Sequence, residues 1–209
     1  LTFDDGPDPR WTRRILAELE RAEACASFFV VGSLVAEQPG VVEEMLERGH
    51  RVELHCMKHL EHAGRSHEEI EADTRTALEE LAKLGVRPSR WRPPGGICTE
   101  STLEVAKVCG VERTGWSADP QDWRGHPVAR MLTILKRQLR LGSVVVMHDA
   151  VGPRAQREGC LETVRLIEPL VTLIRSLGAE PAALPAPAGE PDVGRVRARF
   201  PVFRATATS

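Results

Sequence analysis

The sequence predicts an α/β fold in which a parallel sheet closes, or nearly closes, into a barrel of about seven strands. Two observations predict it. Short, β-rich apolar runs alternate with amphipathic helical stretches about seven times along the 209 residues, the pattern of repeated strand–helix units in a parallel sheet. The chemically unusual residues also share one address, at or just beyond the C-terminal ends of those runs, where barrels of this kind place reactive groups.

Taken in order, the strand candidates are Leu1–Phe3, Ser27–Val31, Val52–His55, Arg90–Arg92, Glu112–Trp116, Ser143–His148 and, weakest, Ala179–Leu184. Ile15, Leu16, Leu19 and Ala22 mark a first helix between them, and Val41, Val42, Met45 and Leu46 a second. Ile70, Thr74, Ala77, Leu78 and Leu81 mark a third, which Ser66-x-x-Glu69 opens as a capping box. Leu103, Val105 and Ala106 indicate a fourth, Met131, Ile134, Leu135 and Leu139 a fifth, and Leu161 to Leu177 a sixth. Asp4 and Asp5 follow the first strand, and His55 ends the third. Arg92 ends the fourth, Asp119 and Asp122 follow the fifth, and His148 ends the sixth.

A chain of this length suits one domain with a continuous core. Residues 1–184 are expected to form it, and 185–209, rich in Pro, Ala and Arg, to follow as a tail. Hydrophobic content of 42% with 28% charged residues is that of a soluble globular protein. A net charge of −2 lacks the basic footprint of a nucleic-acid or anionic-membrane binder. No run of about 18 apolar residues exists to span a bilayer, and nothing in the patterning specifies an oligomer.

The five cysteines, Cys25, Cys56, Cys98, Cys109 and Cys160, are odd in number and form no CxxC pair. That usage argues for free thiols in a reducing compartment, against a disulfide or zinc-thiolate framework. The chain has no initiator Met and begins inside a predicted strand. The expectation is a fragment whose preceding residues, with any targeting signal, lie outside this sequence.

The opening stretch LTFDDGPDPR sets Asp4 and Asp5 side by side. Adjacent carboxylates are costly unless a cation or a proton separates their roles. Asp-Gly-Pro is also ordinary turn chemistry, so the pair needs company before it points to catalysis. VELHCMKHLEH supplies it, with His55 and His59 four apart and His62 three beyond. Histidines at i and i+4 can grip one metal ion from one face. One carboxylate with two imidazoles makes three ligands and leaves positions open for water and substrate, as in catalytic rather than structural sites. The second carboxylate is then left to act as a base.

Arg92 in RWRPPGG precedes a rigid pair of prolines and a permissive pair of glycines. Its functional role would be a fixed cation beside a carboxylate, holding Asp4 ionised and oriented. SADPQDW places Asp119, Asp122 and Trp123 on the next strand-end loop. An Asp beside a His steers its tautomer and raises its pKa, and Trp123 offers an apolar wall. GSVVVMHDA then delivers His148 to the end of an apolar strand, a poor position for a core residue and a good one for a catalyst.

These five stretches, in this order, resemble the motifs of the polysaccharide deacetylase family (NodB-homology, carbohydrate esterase family four). Thr2-Phe3-Asp4-Asp5 resembles its first motif, and His55-Cys56-Met57-Lys58-His59 its H-[ST]-x-x-H motif. Arg92-Pro93-Pro94-Gly95 resembles the arginine motif, Asp119-Pro120-Gln121-Asp122-Trp123 the D-x-x-D-W motif, and Val146-Met147-His148 the L-x-H motif. The resemblance spans about residues 1 to 180. It implies a distorted (β/α) barrel of seven or eight strands and metal-assisted hydrolysis of N-acetyl groups from amino sugars, releasing acetate. It further implies that Asp5, His55 and His59 bind a divalent metal, usually zinc and sometimes cobalt or another ion. Asp4 would be the general base and His148 the general acid, with Arg92 tuning Asp4 and Asp122 (or Asp119) tuning His148. Trp123 and Val146 would line the acetyl pocket, and Pro94 and Gly95 the substrate groove. Family members of this kind are compatible with the cell envelope or secretion.

The match departs at four positions. Cys56 stands where the family has Ser or Thr, and a thiol is a weaker donor, so the histidine loop is expected to be looser or held otherwise. His62 is an additional imidazole, expected to be an exposed loop residue. Gly95 replaces an aromatic, which removes one groove wall, and Val146 replaces Leu, which enlarges the acetyl pocket. The charged residues are spared while the lining changes. A small N-acylated metabolite is therefore an alternative substrate to a chitin- or peptidoglycan-like glycan, and a non-catalytic sugar-binding relic is a further alternative. Iron(II) oxygenases also use two histidines and a carboxylate, but need neither the second aspartate nor the arginine and D-x-x-D-W loops.

Overall fold

The computed structural model describes residues 1–186. Six strands run in one parallel sheet: β1 (Thr2–Asp4), β2 (Ser27–Val31), β3 (Arg51–Cys56), β4 (Arg90–Trp91), β5 (Glu112–Arg113) and β6 (Val146–His148). Seven helices lie between and after them: α1 (Trp11–Arg21), α2 (Gly32–Glu37), α3 (Pro39–Glu47), α4 (His67–Lys83), α5 (Glu100–Cys109), α6 (Val128–Gln138) and α7 (Leu161–Ser176). The spatial order is β5-β4-β3-β2-β1-β6, so β1, first in the chain, is an interior strand flanked by β2 and β6.

The two ends of the sheet meet. Beyond β5 the chain runs on to Ala118, which bridges Val145 just before β6. Ala118 N–H donates to Val144 O at 3.1 Å, and Val146 N–H donates to Ala118 O at 3.0 Å. The fifth predicted strand, Glu112–Trp116, is thus split into a two-residue strand and a single bridge. Closure is made by that bridge rather than by a seventh strand. The weak candidate at 179–184 forms no strand; Leu184 N–H instead donates to Ser27 Oγ at 3.0 Å, which lays that segment alongside β2. The proposed tail lies outside the described residues from 187 onward.

Burial on both faces explains the strand composition. β2 is buried at all five positions, as expected of a parallel strand covered by helices on one side and barrel interior on the other. The six helices read from the sequence bury most of the stripes that marked them, with Leu103 of α5 the exception, exposed while its neighbour Thr102 is buried. Ile15, Leu16 and Leu19 of α1 are fully buried, each stabilising by about 1.5–3 kcal/mol, and α1 packs against α7. Truncating Leu19 to Ala would cost about 2–5 kcal/mol. The capping box at Ser66 forms as read: Ser66 Oγ accepts the Glu69 N–H at 3.2 Å, and Glu69 Oε2 accepts the Ser66 N–H at 2.9 Å. Helix α2, six residues long, gave no periodic signal and is an addition to the six expected. Among the described residues no helix is long and apolar enough to cross a membrane.

Parallel strands point their C-terminal ends the same way, so β1, β3, β4 and β6 deliver their terminal residues to one mouth of the barrel. That is where the charged side chains gather.

Candidate active site

Register does the first part of the assembly. Asp4 is the cross-strand partner of both Phe29 and His148, so these side chains leave the sheet on the same face, side by side. Asp5, one residue on, has left the strand with φ 78°. That conformation turns its carboxylate away from that of Asp4 and toward β3.

There it meets two histidines. Asp5 Oδ1 lies 3.4 Å from His55 Nε2 and 3.2 Å from His59 Nε2, and the three ligand atoms all fall within 4.8 Å of one another. Ligand atoms about 2.0–2.2 Å from a tetrahedral ion stand about 3.3–3.6 Å apart, so the two Asp5–His spacings fit a shared cation. The His55 tautomer fits as well. Its Nδ1 bonds the Arg92 carbonyl at 2.6 Å, which directs the other nitrogen, with its lone pair, into the cleft. His55 Nε2 is fully buried there without a hydrogen bond, as suits a nitrogen whose partner is a metal ion. Burial works to raise the Asp5 pKa, but the contacts from His55 and His59 outweigh it and hold the carboxyl below the usual carboxylate range.

The loop carrying His59 is held by Cys56 acting as acceptor, not donor: the His59 N–H donates to Cys56 Sγ at 3.0 Å. Burial first, then the nearby Asp73 carboxylate, keeps this thiol protonated well above its ordinary pKa, and Asp73 itself accepts the Met57 N–H at 2.8 Å. The loop is therefore held otherwise than by a hydroxyl. His62 is a correction. It is buried, not exposed, with Nδ1 2.9 Å from Thr102 Oγ1 and its ring 5.2 Å from that of Trp91. It stands outside the ligand cluster and joins the loop to α5.

Arg92 is completely buried. Its Nη1 donates to Asp4 Oδ1 at 2.7 Å and to Thr2 Oγ1 at 2.8 Å, and Nη2 donates to Gly115 O at 3.1 Å. The guanidinium stacks over Phe29 at 4.1 Å, so the cation that pins Asp4 is itself fixed on several sides.

On the opposite side, His148 Nδ1 meets Asp122 Oδ1 at 2.8 Å, and the His148 N–H donates to Asp122 Oδ2 at 2.9 Å. Of the two aspartates in that loop, Asp122 is the one that hydrogen-bonds the histidine. Asp119 also lines the cavity, but its carboxylate accepts the Gln121 N–H at 2.6 Å, shaping the turn that presents Asp122. Burial pushes the His148 pKa down, but Asp122 more than reverses this and lifts it to about 9. Burial likewise raises Asp122, while His148 and then Arg157 bring it to about 2. Arg157 donates to Asp122 Oδ2 at 3.1 Å and to the carbonyls of His148 and Ala150 at 3.0 and 3.2 Å.

Asp4, Asp5, His55, His59 and His148 open onto one cavity of about 230 Å³, whose wall includes Trp123, Val146 and Gly95. Pro94 is buried beneath it and does not line it; it supports the turn that presents Gly95. A second hollow of about 250 Å³ shares Asp5, His59 and Gly152 and extends toward Lys58.

Several participants escaped the sequence reading. Trp116 lines the cavity, and Arg157 and Arg154 come from the loop between β6 and α7, which had no motif to flag it. Gly152 passes so close to Asp5 that a Cβ there would fall 2.0 Å from Oδ2. Asp149, buried beside His148, accepts the Gly6 N–H at 3.1 Å and the Thr12 hydroxyl at 2.5 Å, and its own N–H donates to Asp4 O at 3.1 Å. It ties the loop bearing Asp5 to β6. Its place after His148 was visible in the sequence, but not its burial.

Residues 1–114 match the family model described as polysaccharide deacetylase. A peptidoglycan-N-acetylglucosamine deacetylase of Bacillus cereus is 32% identical over 166 residues, 78% of each chain. A chitooligosaccharide deacetylase of Bradyrhizobium is 32% identical over 193 residues, 88% of each chain. A solved peptidoglycan N-acetylglucosamine deacetylase superposes with a TM-score of 0.81 at 27% identity, covering 88% of this chain and 84% of that one.

Proposed function

From the premise that the chain belongs to the polysaccharide deacetylase family, we propose that it hydrolyses the N-acetyl amide of amino sugars in a polysaccharide or oligosaccharide, releasing acetate. The single observation that carries the reading is one cleft in which a three-ligand cluster is flanked by a carboxylate and a protonated imidazole on adjacent strands.

Asp5, His55 and His59 would hold the metal, and a carboxylate with two imidazoles suits zinc with positions left open. A divalent ion there supplies Lewis acidity toward the amide carbonyl and makes water acidic near pH 7. The chain supplies everything else. Asp4, its second oxygen left over by the Arg92 contact, takes the proton of the attacking water. His148 is protonated at neutral pH because Asp122 holds it so, and it gives its Nε2 proton to the departing sugar amine, otherwise a poor leaving group. Negative charge developing on the acetyl oxygen needs an N–H donor. In the loop 93–96, Pro93 and Pro94 have none and Gly96 donates to Pro93 O at 2.9 Å, which leaves the Gly95 N–H at the cavity wall. Trp123 and Val146 flank the space for the acetyl methyl.

The test is acetate release from chitin- and peptidoglycan-derived oligosaccharides by the zinc-loaded protein and by the chelated protein. Release that requires the metal supports the reading. A loaded protein that frees no acetate from any of them overturns it.

A further inference from the structure

From the cleft wall beside Gly95 we infer that Arg154 reads a carboxylate carried by the glycan next to the acetamido sugar, so that the protein prefers an acidic N-acetylated glycan over a neutral one. The inference rests on the deacetylase reading and deepens it.

Gly95 has φ 62° and no side chain, and the space an aromatic residue would fill is taken by another chain segment. Arg154, from the loop after β6, lays its guanidinium there: Nη1 lies 3.3 Å from where a Cβ on Gly95 would stand. Arg154 lines the same cavity as the catalytic candidates. Its Nη2 donates to Glu61 Oε2 at 2.5 Å, which reaches over from the histidine loop. This pair differs from the other ion pairs of the cleft in being open to water, with side-chain exposures of 58% and 38%.

Two physical consequences follow. A guanidinium presents a planar fork of donors matched to a carboxylate, and an exposed ion pair is weak. Glu61 therefore acts as a placeholder that orients the fork and yields when a substrate carboxylate arrives, one carboxylate replacing another. The floor of the cavity is kept for the metal and the reacting amide, and its cations are already paired: Arg92 with Asp4, and His148 and Arg157 with Asp122. Arg154 at the rim is the cation of this cavity whose partner is easily exchanged.

The probe is an N-acetylglucosamine oligosaccharide whose neighbouring residue bears a lactate-ether carboxylate, compared with the same glycan after that carboxylate is amidated. Both binding, by calorimetry, and acetate release are measured with the zinc-loaded protein. The expected result is an acid-over-amide preference of about tenfold, falling to near one in Arg154→Gln and rising in Glu61→Gln, which frees the fork. An unchanged preference in Arg154→Gln, or none in the parent protein, overturns the inference. Binding that shows the Arg154-dependent preference, with no acetate released from this probe or from any of the chitin- and peptidoglycan-derived oligosaccharides, would sustain the inference and sink the deacetylase reading, so the two failures are distinguishable.

Discussion

Arg92 and Arg154 stand on the same cleft, and they are held in opposite ways. Arg92 is wholly buried, with Asp4, Thr2 and Gly115 as acceptors and Phe29 beneath its plane. Arg154 keeps most of its side chain in water and one exposed carboxylate as partner. The same contrast runs through the whole site. On the floor, Asp122 has contacts from His148, Arg157 and Thr163, whereas the rim carries Gly95, the half-buried Trp123, the partly exposed Trp116 and the exposed Arg154. Over-determined charges keep their geometry through a catalytic cycle, while lightly held groups can exchange partners. The floor specifies the reaction and the rim selects what enters.

The sharpest way to break that contrast is to remove a ligand. His59→Ala should lose both bound metal, measured by atomic emission, and acetate release; retained metal at parental affinity would show that the cluster is misassigned. Next in size, Asp4→Asn should lower the rate about 10²–10⁴-fold with metal content unchanged, since Asp4 is off the cluster. Normal turnover would transfer the base role elsewhere. Arg92→Ala should destabilise by about 3–5 kcal/mol in denaturant melts, because Asp4 is left buried and unpaired. A rim change such as Arg154→Ala, by the same measurement, should stay within about 1 kcal/mol.

The pH profile sharpens the comparison further. A histidine whose folded pKa lies above its ordinary 6.5 keeps its proton through neutrality and loses it as pH rises through about 9. Activity that needs the acid form should therefore fall on the alkaline side near that pH, and the stability gained from the His148–Asp122 pair should fade there too. Asp122→Asn should move the alkaline limb toward the ordinary histidine value; an unmoved limb would show that another group is the acid. Smallest of all, Cys56→Ser keeps an acceptor for the His59 N–H and should change stability by about 1 kcal/mol or less, with bound metal and rate close to the parent protein's.

What the sequence determined by itself was local and periodic. Alternating apolar runs and helical stripes marked all six strands and six of the helices at or near their places, because burial on a helix or strand leaves its period in the order of residues. The Ser66–Glu69 box was legible for the same reason, being closed within four residues. Asp4, Asp5, His55, His59, Arg92 and His148 were legible because chemistry restricts residue type at strand ends. What only the tertiary structure decided were contacts between distant segments. Asp122 and Asp119 differ by three positions, and only the path of the turn shows that Asp122 reaches His148. The burial of His62 depends on α5, forty residues on, and closure of the barrel depends on a single bridge between Ala118 and Val145. Arg154 over Gly95 joins segments almost sixty residues apart. No local pattern records such a meeting, because its energy comes from the packing of elements that the sequence names only one at a time.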